Sequence, residues 1–212
     1  EPYSRLRHNE EFQTLFGDIA HETFFNGGAL YVNPDSPGYD PNHPENNQPA
    51  ALYGDIAETV ELAIITESAR WGDTGRSSPI TPAQWATRRD WILNDYLPYR
   101  NPIFLNQLRA AGLYPDVDAP SFNVNGEYQH GGTVTAGDTL TIDNPYDPGE
   151  ATVYYTLDGT DPRAVGGGIS ATALVYDGAV VLGANTPVYA RVRNGGEWSA
   201  LNKAVYYLDT AP

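Results

Sequence analysis

The sequence predicts an α+β chain whose two kinds of element are segregated: an N-terminal helical region, then an antiparallel immunoglobulin-like β-sandwich. Three observations lead to that fold class. Apolar residues recur at helical spacing in the first half. Prolines and Asx or Thr residues stand where helices start. Beyond residue 120, short β-branched and aromatic runs alternate with Gly, Asn, Asp and Pro. The 212 residues are 41% hydrophobic and 12% aromatic, which suffices for a core without disulfides, and none can form because Cys is absent.

The first element spans 9 to 26. Phe12, Leu15, Phe16, Ile19, Ala20, Thr23 and Phe24 make one apolar stripe, Asn9 caps the start, Glu10 and Glu11 suit the positive end, and Gly27 closes the helix. His21 sits just off the stripe and reads as a boundary residue. The proline-rich stretch "YVNPDSPGYDPNHPENNQ", 31 to 48, is a long loop. A second helix follows over about 49 to 71, with Leu52, Ile56, Val60, Ile64 and Trp71 on its stripe. Glu67 shares that stripe and calls for Arg70 or Arg89 as an ion-pair partner. Thr81, Pro82 and Gln84 form a capping box for a helix that should stop at Pro98. Asn101 and Pro102 repeat the device, and Gly112 with Leu113 ends that fourth helix in a Schellman-type stop.

"YPDVDAP", 114 to 120, reads as a linker between a helical region, 1–113, and a sandwich, 121–212. "SFNV", "DTLTID", "ATVYYTL", "GAVVL", "TPVYARVRN" and "KAVYYL" supply the strands. In "YYTLDGTDPR", Asp158-Gly159 makes a turn, Asp161 reaches local backbone amides, and Pro162 fixes the exit.

Charge narrows the function. Twenty-seven acidic residues against 12 basic ones give a net charge of −15, and Lys203 is the sole lysine. Such a surface repels nucleic acid. No run reaches the roughly 20 apolar residues of a membrane-spanning helix. The chain also lacks Met and enters a helical pattern at once, so it reads as a piece of a longer polypeptide.

Both halves carry family likenesses. "VYYTLDGTDPR", "GGGIS" and "TPVYARVRNGGEWSAL" resemble the chitobiase/β-hexosaminidase C-terminal-like β-sandwich over most of 120 to 208. "RLRHNEEFQTLFGDIAHETFFNGGAL", "ESARWGD" and "RDWILNDYLPYRNPIFLNQLRAAGLYP" resemble the C-terminal end of the CotH kinase-like family. The resemblance implies a secreted, extracellular bacterial multidomain protein and, for the whole family, phosphoryl transfer from ATP. This chain departs from that activity. Its one lysine lies in the last strand, no Gly-rich phosphate loop is present, and "FNGGAL" follows a helix and so sits at the wrong end for phosphate. No catalytic residue carries over, and no enzyme activity is expected.

Other chemistries lack their patterns. His8, His21, His43 and His130 are scattered, and no G-x-S-x-G frame occurs. Asp35, Asp40 and Asn42 in the long loop, and Asp158 and Asp161 in the turn, offer the oxygen ligands that Ca2+ requires. Turn chemistry accounts for the same residues without an ion. Among the aromatics, Trp198 beside a Gly-Gly turn, with Tyr128 and Tyr154, is the candidate platform for stacking sugar rings; the competing account makes Trp198 a lid on the sandwich. The expectation is thus a non-catalytic accessory or spacer unit with polysaccharide and the upstream domains of the same polypeptide as partners. A kinase-like tail and a purely structural surface or matrix component are the alternatives.

Overall fold

The computed structural model describes residues 2–74, 77–78 and 80–209; the outermost residues of the two expected regions, Glu1 and 210–212, lie outside it, as does Pro79 within "SSPITPAQW". Helices come first and antiparallel sheets follow, as the patterning predicts. The chain divides into two compact units, Glu1–Glu22 with Leu108–Pro212, and Thr23–Gln107. This division differs from one cut at a linker. Residues 114–120 do not run free: Tyr114, Val117 and Pro120 are buried, and the Asp118 amide donates to the Tyr146 hydroxyl at 2.9 Å. Prolines and acids mark irregular backbone in sequence, and here that backbone is packed.

In the unit Thr23–Gln107, helix α3 (Gln48–Trp71) starts on Asn47, whose Oδ1 accepts from the Ala50 amide at 3.0 Å and whose Nδ2 donates to the Pro37 carbonyl at 2.7 Å. One side chain thereby caps a helix and holds the preceding loop. The face of α3 that the sequence assigns to the core is largely exposed: Leu52 is 61% and Ile56 55% accessible, while Ala50 and Ala57 are the buried positions. Glu67 is exposed, and Arg89 instead meets Glu61 at 3.2 Å and Asp90 at 2.9 Å. Helix α4 (Pro82–Trp91) has the expected capping box, with the Thr81 amide donating to Gln84 Oε1 at 2.9 Å.

Helix α4 does not stop at Pro98. A π-helical turn, Ile92–Tyr96, joins it to α5 (Leu97–Ala110), which holds Pro102 inside. In that turn the Leu97 amide reaches back to the Ile92 carbonyl, so the ladder changes register just before Pro98, where an amide is lost anyway. Asn101 is consequently no cap; its Nδ2 donates to the Leu30 carbonyl at 2.5 Å. The far end behaves as predicted: Gly112 takes φ +68° and the Leu113 amide closes on the Leu108 carbonyl at 2.9 Å.

The other unit opens with α1 (Pro2–Leu6) and α2 (Glu10–Phe24, through Glu22), where Asn9 Oδ1 accepts from the Phe12 amide at 3.0 Å. Among the described residues its strands form two sheets. β1 (Ser121–Val124), β2 (Glu127–Tyr128), β4 (Thr139–Asp143) and β7 (Val180–Val181) run in the order β2-β1-β4-β7. β3 (Gly132–Val134), β5 (Ala151–Thr156), β6 (Leu174–Val175), β8 (Thr186–Asn194) and β10 (Asn202–Leu208) run β3-β10-β8-β5-β6, and β9 (Glu197–Trp198) pairs with β8. Pairing is antiparallel except between β10 and β3. Phe122, Leu140 and Ile142 from one sheet, and Val153, Val188, Val192 and Tyr206 from the other, fill the core. The period-2 pleat sends Tyr206 inward and leaves Tyr207 exposed.

Candidate functional site

The outer face of the larger sheet is where polar chemistry collects. Val188, Ala190 and Val192 point into the core, so Tyr189, Arg191 and Arg193 of β8 share the opposite face. Register places Thr152 beside Arg193, Tyr154 beside Arg191 and Thr156 beside Tyr189, and it sets Trp198 of β9 against Arg193.

Arg191 has a side chain only 1% exposed, a costly place for a guanidinium unless every donor is met. All are. Nε donates to Asp161 Oδ1 at 2.8 Å; Nη1 donates to Asp18 Oδ1 at 2.8 Å and the Ser199 carbonyl at 2.7 Å; Nη2 donates to Asp18 Oδ2 and Asp161 Oδ2, both at 2.6 Å. Burial works against the charge, and the bonds from Asp161 and Asp18 outweigh it, so the pKa of Arg191 is raised. Around this pair the same logic repeats. Arg163 forks onto Glu11 at 2.8 and 3.0 Å, and Lys203 meets Glu22 at 3.0 Å. The hydrogen bond from Arg163, helped by the Gly166 amide, holds the Glu11 carboxyl at about 2, well below the usual range.

Glu11, Asp18 and Glu22 stand at i, i+7 and i+11, one face of α2. A carboxylate face therefore meets the sandwich, and the apolar stripe read from the sequence is covered only in part, with Ala20 buried. Leu15 and Ile19 of that stripe are 58% and 55% exposed. Gly17 lets the helix approach the 114–115 segment, since a Cβ there would stand 3.1 Å from Pro115 Cδ. His21 is buried, not at a boundary, with Nδ1 2.9 Å from the Tyr114 hydroxyl. Burial, then the charges of His130 and Arg191, push its pKa down to about 3.

Next to this network lies a cleft of about 520 Å3, lined by Glu10, Gln13, Thr14, Arg109, Asp116, Glu197 and Trp198 among others. Trp198 is half-buried. Its Nε1 donates to the Gly167 carbonyl at 2.8 Å, the Tyr154 ring meets it edge-on with centroids 5.4 Å apart, and the Arg193 guanidinium lies 5.3 Å from its ring. The indole is thus fixed in orientation beside carboxylates and amides, the pairing of surfaces that receives a polyol with apolar ring faces.

Of the residues expected to bind sugar, the structure brings Trp198 and Tyr154 together and leaves Tyr128 exposed on β2, in the other sheet. The metal candidates are dispersed between local turns. Asp40 Oδ1 accepts from the Asn42 amide at 2.9 Å, and the Asp35 amide donates to Asn33 Oδ1 at 3.0 Å. Asp158 Oδ1 accepts from the Thr160 amide at 2.9 Å, and Asp161 is held by Arg191 and by the Arg163 amide. Among the described residues no group of three or more His, Asp or Glu side chains is placed to hold a metal ion. Arg163, Arg191 and Arg193 escaped the sequence reading; the signal available for the first two was the spacing of Glu11 and Asp18 on one face of α2.

Residues 140–205 match the model of the Fn3 associated family, a stretch that runs from β4 into β10. That match is compatible with an accessory β-sandwich module. No curated protein and no solved structure matches the chain. No described helix is long and apolar enough to cross a membrane.

Proposed function

We propose that this chain is a non-catalytic accessory module of a secreted bacterial multidomain protein, and that its β-sandwich binds carbohydrate at the cleft beside Trp198. The observation that carries the reading is the fixed indole at that cleft. Its N–H is committed to Gly167, its ring meets Tyr154 in an edge contact and the Arg193 guanidinium lies over one face, so the opposite face is pre-oriented and little entropy is lost on stacking a sugar there. The proposal keeps the two likenesses, a CotH-like C-terminal end leading into a chitobiase C-terminal-like sandwich; the Fn3-associated match supports only the sandwich part. It also holds that the chain transfers no phosphate, which accords with the sole lysine being spent on Glu22.

Retention on insoluble polysaccharides and calorimetric titration with oligosaccharides test the binding. Trp198→Ala should weaken it roughly tenfold, the equivalent of about 1.4 kcal/mol. Binding that is unchanged in Trp198→Ala, or absent across a broad glycan panel, would leave a spacer as the better account. Incubation with labelled ATP and Mg2+ tests the other half, and transfer of label to any acceptor would refute it.

A further inference from the structure

We infer that the glycan recognised on this face carries a carboxylate, a uronic-acid unit, which pairs with Arg193; the inference rests on the carbohydrate reading above and names its ligand class. On the outer face of the larger sheet, Arg191 and Lys203 have carboxylate partners, and so does Arg163 in the adjoining turn. Arg193 has none among the described residues, and its Nε is buried without an acceptor. The guanidinium lies over the Trp198 ring but has no carboxylate to neutralise it, and in a chain with 27 acidic residues the absent counter-charge is not for want of carboxylates.

Arg193 lines a groove of about 320 Å3 together with Glu150, Thr152, Tyr154, Gly195 and Gly196, and Gly196 also lines the Trp198 cleft. Nothing stands within 4 Å of where a Cβ would be at either glycine, so the turn leaves open space beside the guanidinium. A sugar stacked at Trp198 can therefore extend past Gly196 and bring a C6 carboxylate to the fork of Arg193, which suits a two-oxygen acceptor. The net charge of −15 opposes a densely anionic polymer at long range, and Glu150 opposes it locally. The two effects together select a mostly neutral chain bearing isolated or terminal uronates.

The test uses the full chain and matched oligosaccharides of gluco, galacto and manno configuration, each with a terminal uronate or its neutral C6-alcohol parent, with heparin as the dense polyanion. Titration followed at the Trp198 indole resonance should give the uronate forms roughly tenfold tighter binding, a preference that weakens with salt, and no comparable gain for heparin. Arg193→Gln should collapse the uronate-to-neutral ratio towards one and Arg193→Lys should restore part of it, with circular dichroism melts confirming that both variants fold. Equal binding of uronate and neutral forms overturns this inference and leaves the carbohydrate reading standing. Absence of binding to every member of the panel overturns both.

Discussion

Arg191 concentrates the energetics of the sandwich unit in one side chain. Five N–H donors meet Asp18, Asp161 and the Ser199 carbonyl, and the guanidinium that bears them is almost wholly buried. Two carboxylates around one guanidinium tolerate burial only while the guanidinium remains. Arg191→Met fills similar volume yet strands Asp18 and Asp161, and should cost about 3–5 kcal/mol in urea unfolding of this unit. Adding Asp18→Asn and Asp161→Asn to that variant should recover part of the loss, because the stranded charges vanish; no recovery would mean that packing, not charge, sets the cost. Lys203 with Glu22 makes a useful contrast. The Glu22 side chain is 59% and that of Lys203 39% exposed, so Glu22→Gln should change stability by no more than about 1 kcal/mol.

At the scale of elements, what could be read from the sequence was whatever a few neighbouring residues decide. Asn9, Thr81 with Gln84, and Gly112 with Leu113 act within one turn of helix, and each takes its expected part. Thr81→Ala should accordingly lower the stability of the Thr23–Gln107 unit by about 1 kcal/mol, measured by denaturant unfolding. What escaped was set by partners far along the chain. Asp18 and Arg191 are 173 positions apart, and nothing local says that the charged face of α2 rather than Leu15 and Ile19 would be covered. Pro98 failed as a stop, and Asn101 with Pro102 as a fresh start, for a related reason: a π turn shifts the ladder just before Pro98 and the helix runs on with Pro102 inside it, and such a turn has no mark in residue order. The candidate site shows the same division. Trp198 beside its Gly-Gly turn was visible, whereas Arg193 acquires meaning only when the register of β8 and β9 sets it against that ring.

For the molecule as a whole, acid should unfold the sandwich unit in two stages, and the order follows from which groups have shifted. His21 is buried neutral, with a pKa of about 3 against 6.5 for the free side chain, and burial lowers His130 as well. The unfolded chain therefore takes up protons that the folded chain refuses, and stability is complete above pH 6.5 and declines as pH falls from there towards 3. For one such group the slope approaches about 1.4 kcal/mol per pH unit. Glu11, held at about 2, with Asp138 and Asp158 also lowered, adds a second loss that begins below the ordinary carboxylate range, near 4.5. Neutralising a net charge of −15 pulls the other way by relieving self-repulsion, but that repulsion is spread over the surface and screened by salt, whereas His21 is not. Calorimetric melts from pH 8 to 3 in 0.3 M salt should thus show a plateau, a decline starting near 6.5 and a steeper fall below 4.5. His21→Phe removes one of the two depressed rings and leaves His130, so its melts should decline less steeply between 6.5 and 5 than those of the wild type, even if the variant is less stable throughout. A wild-type profile already flat between 7 and 5 would show that His21 is reached by solvent before the unit unfolds.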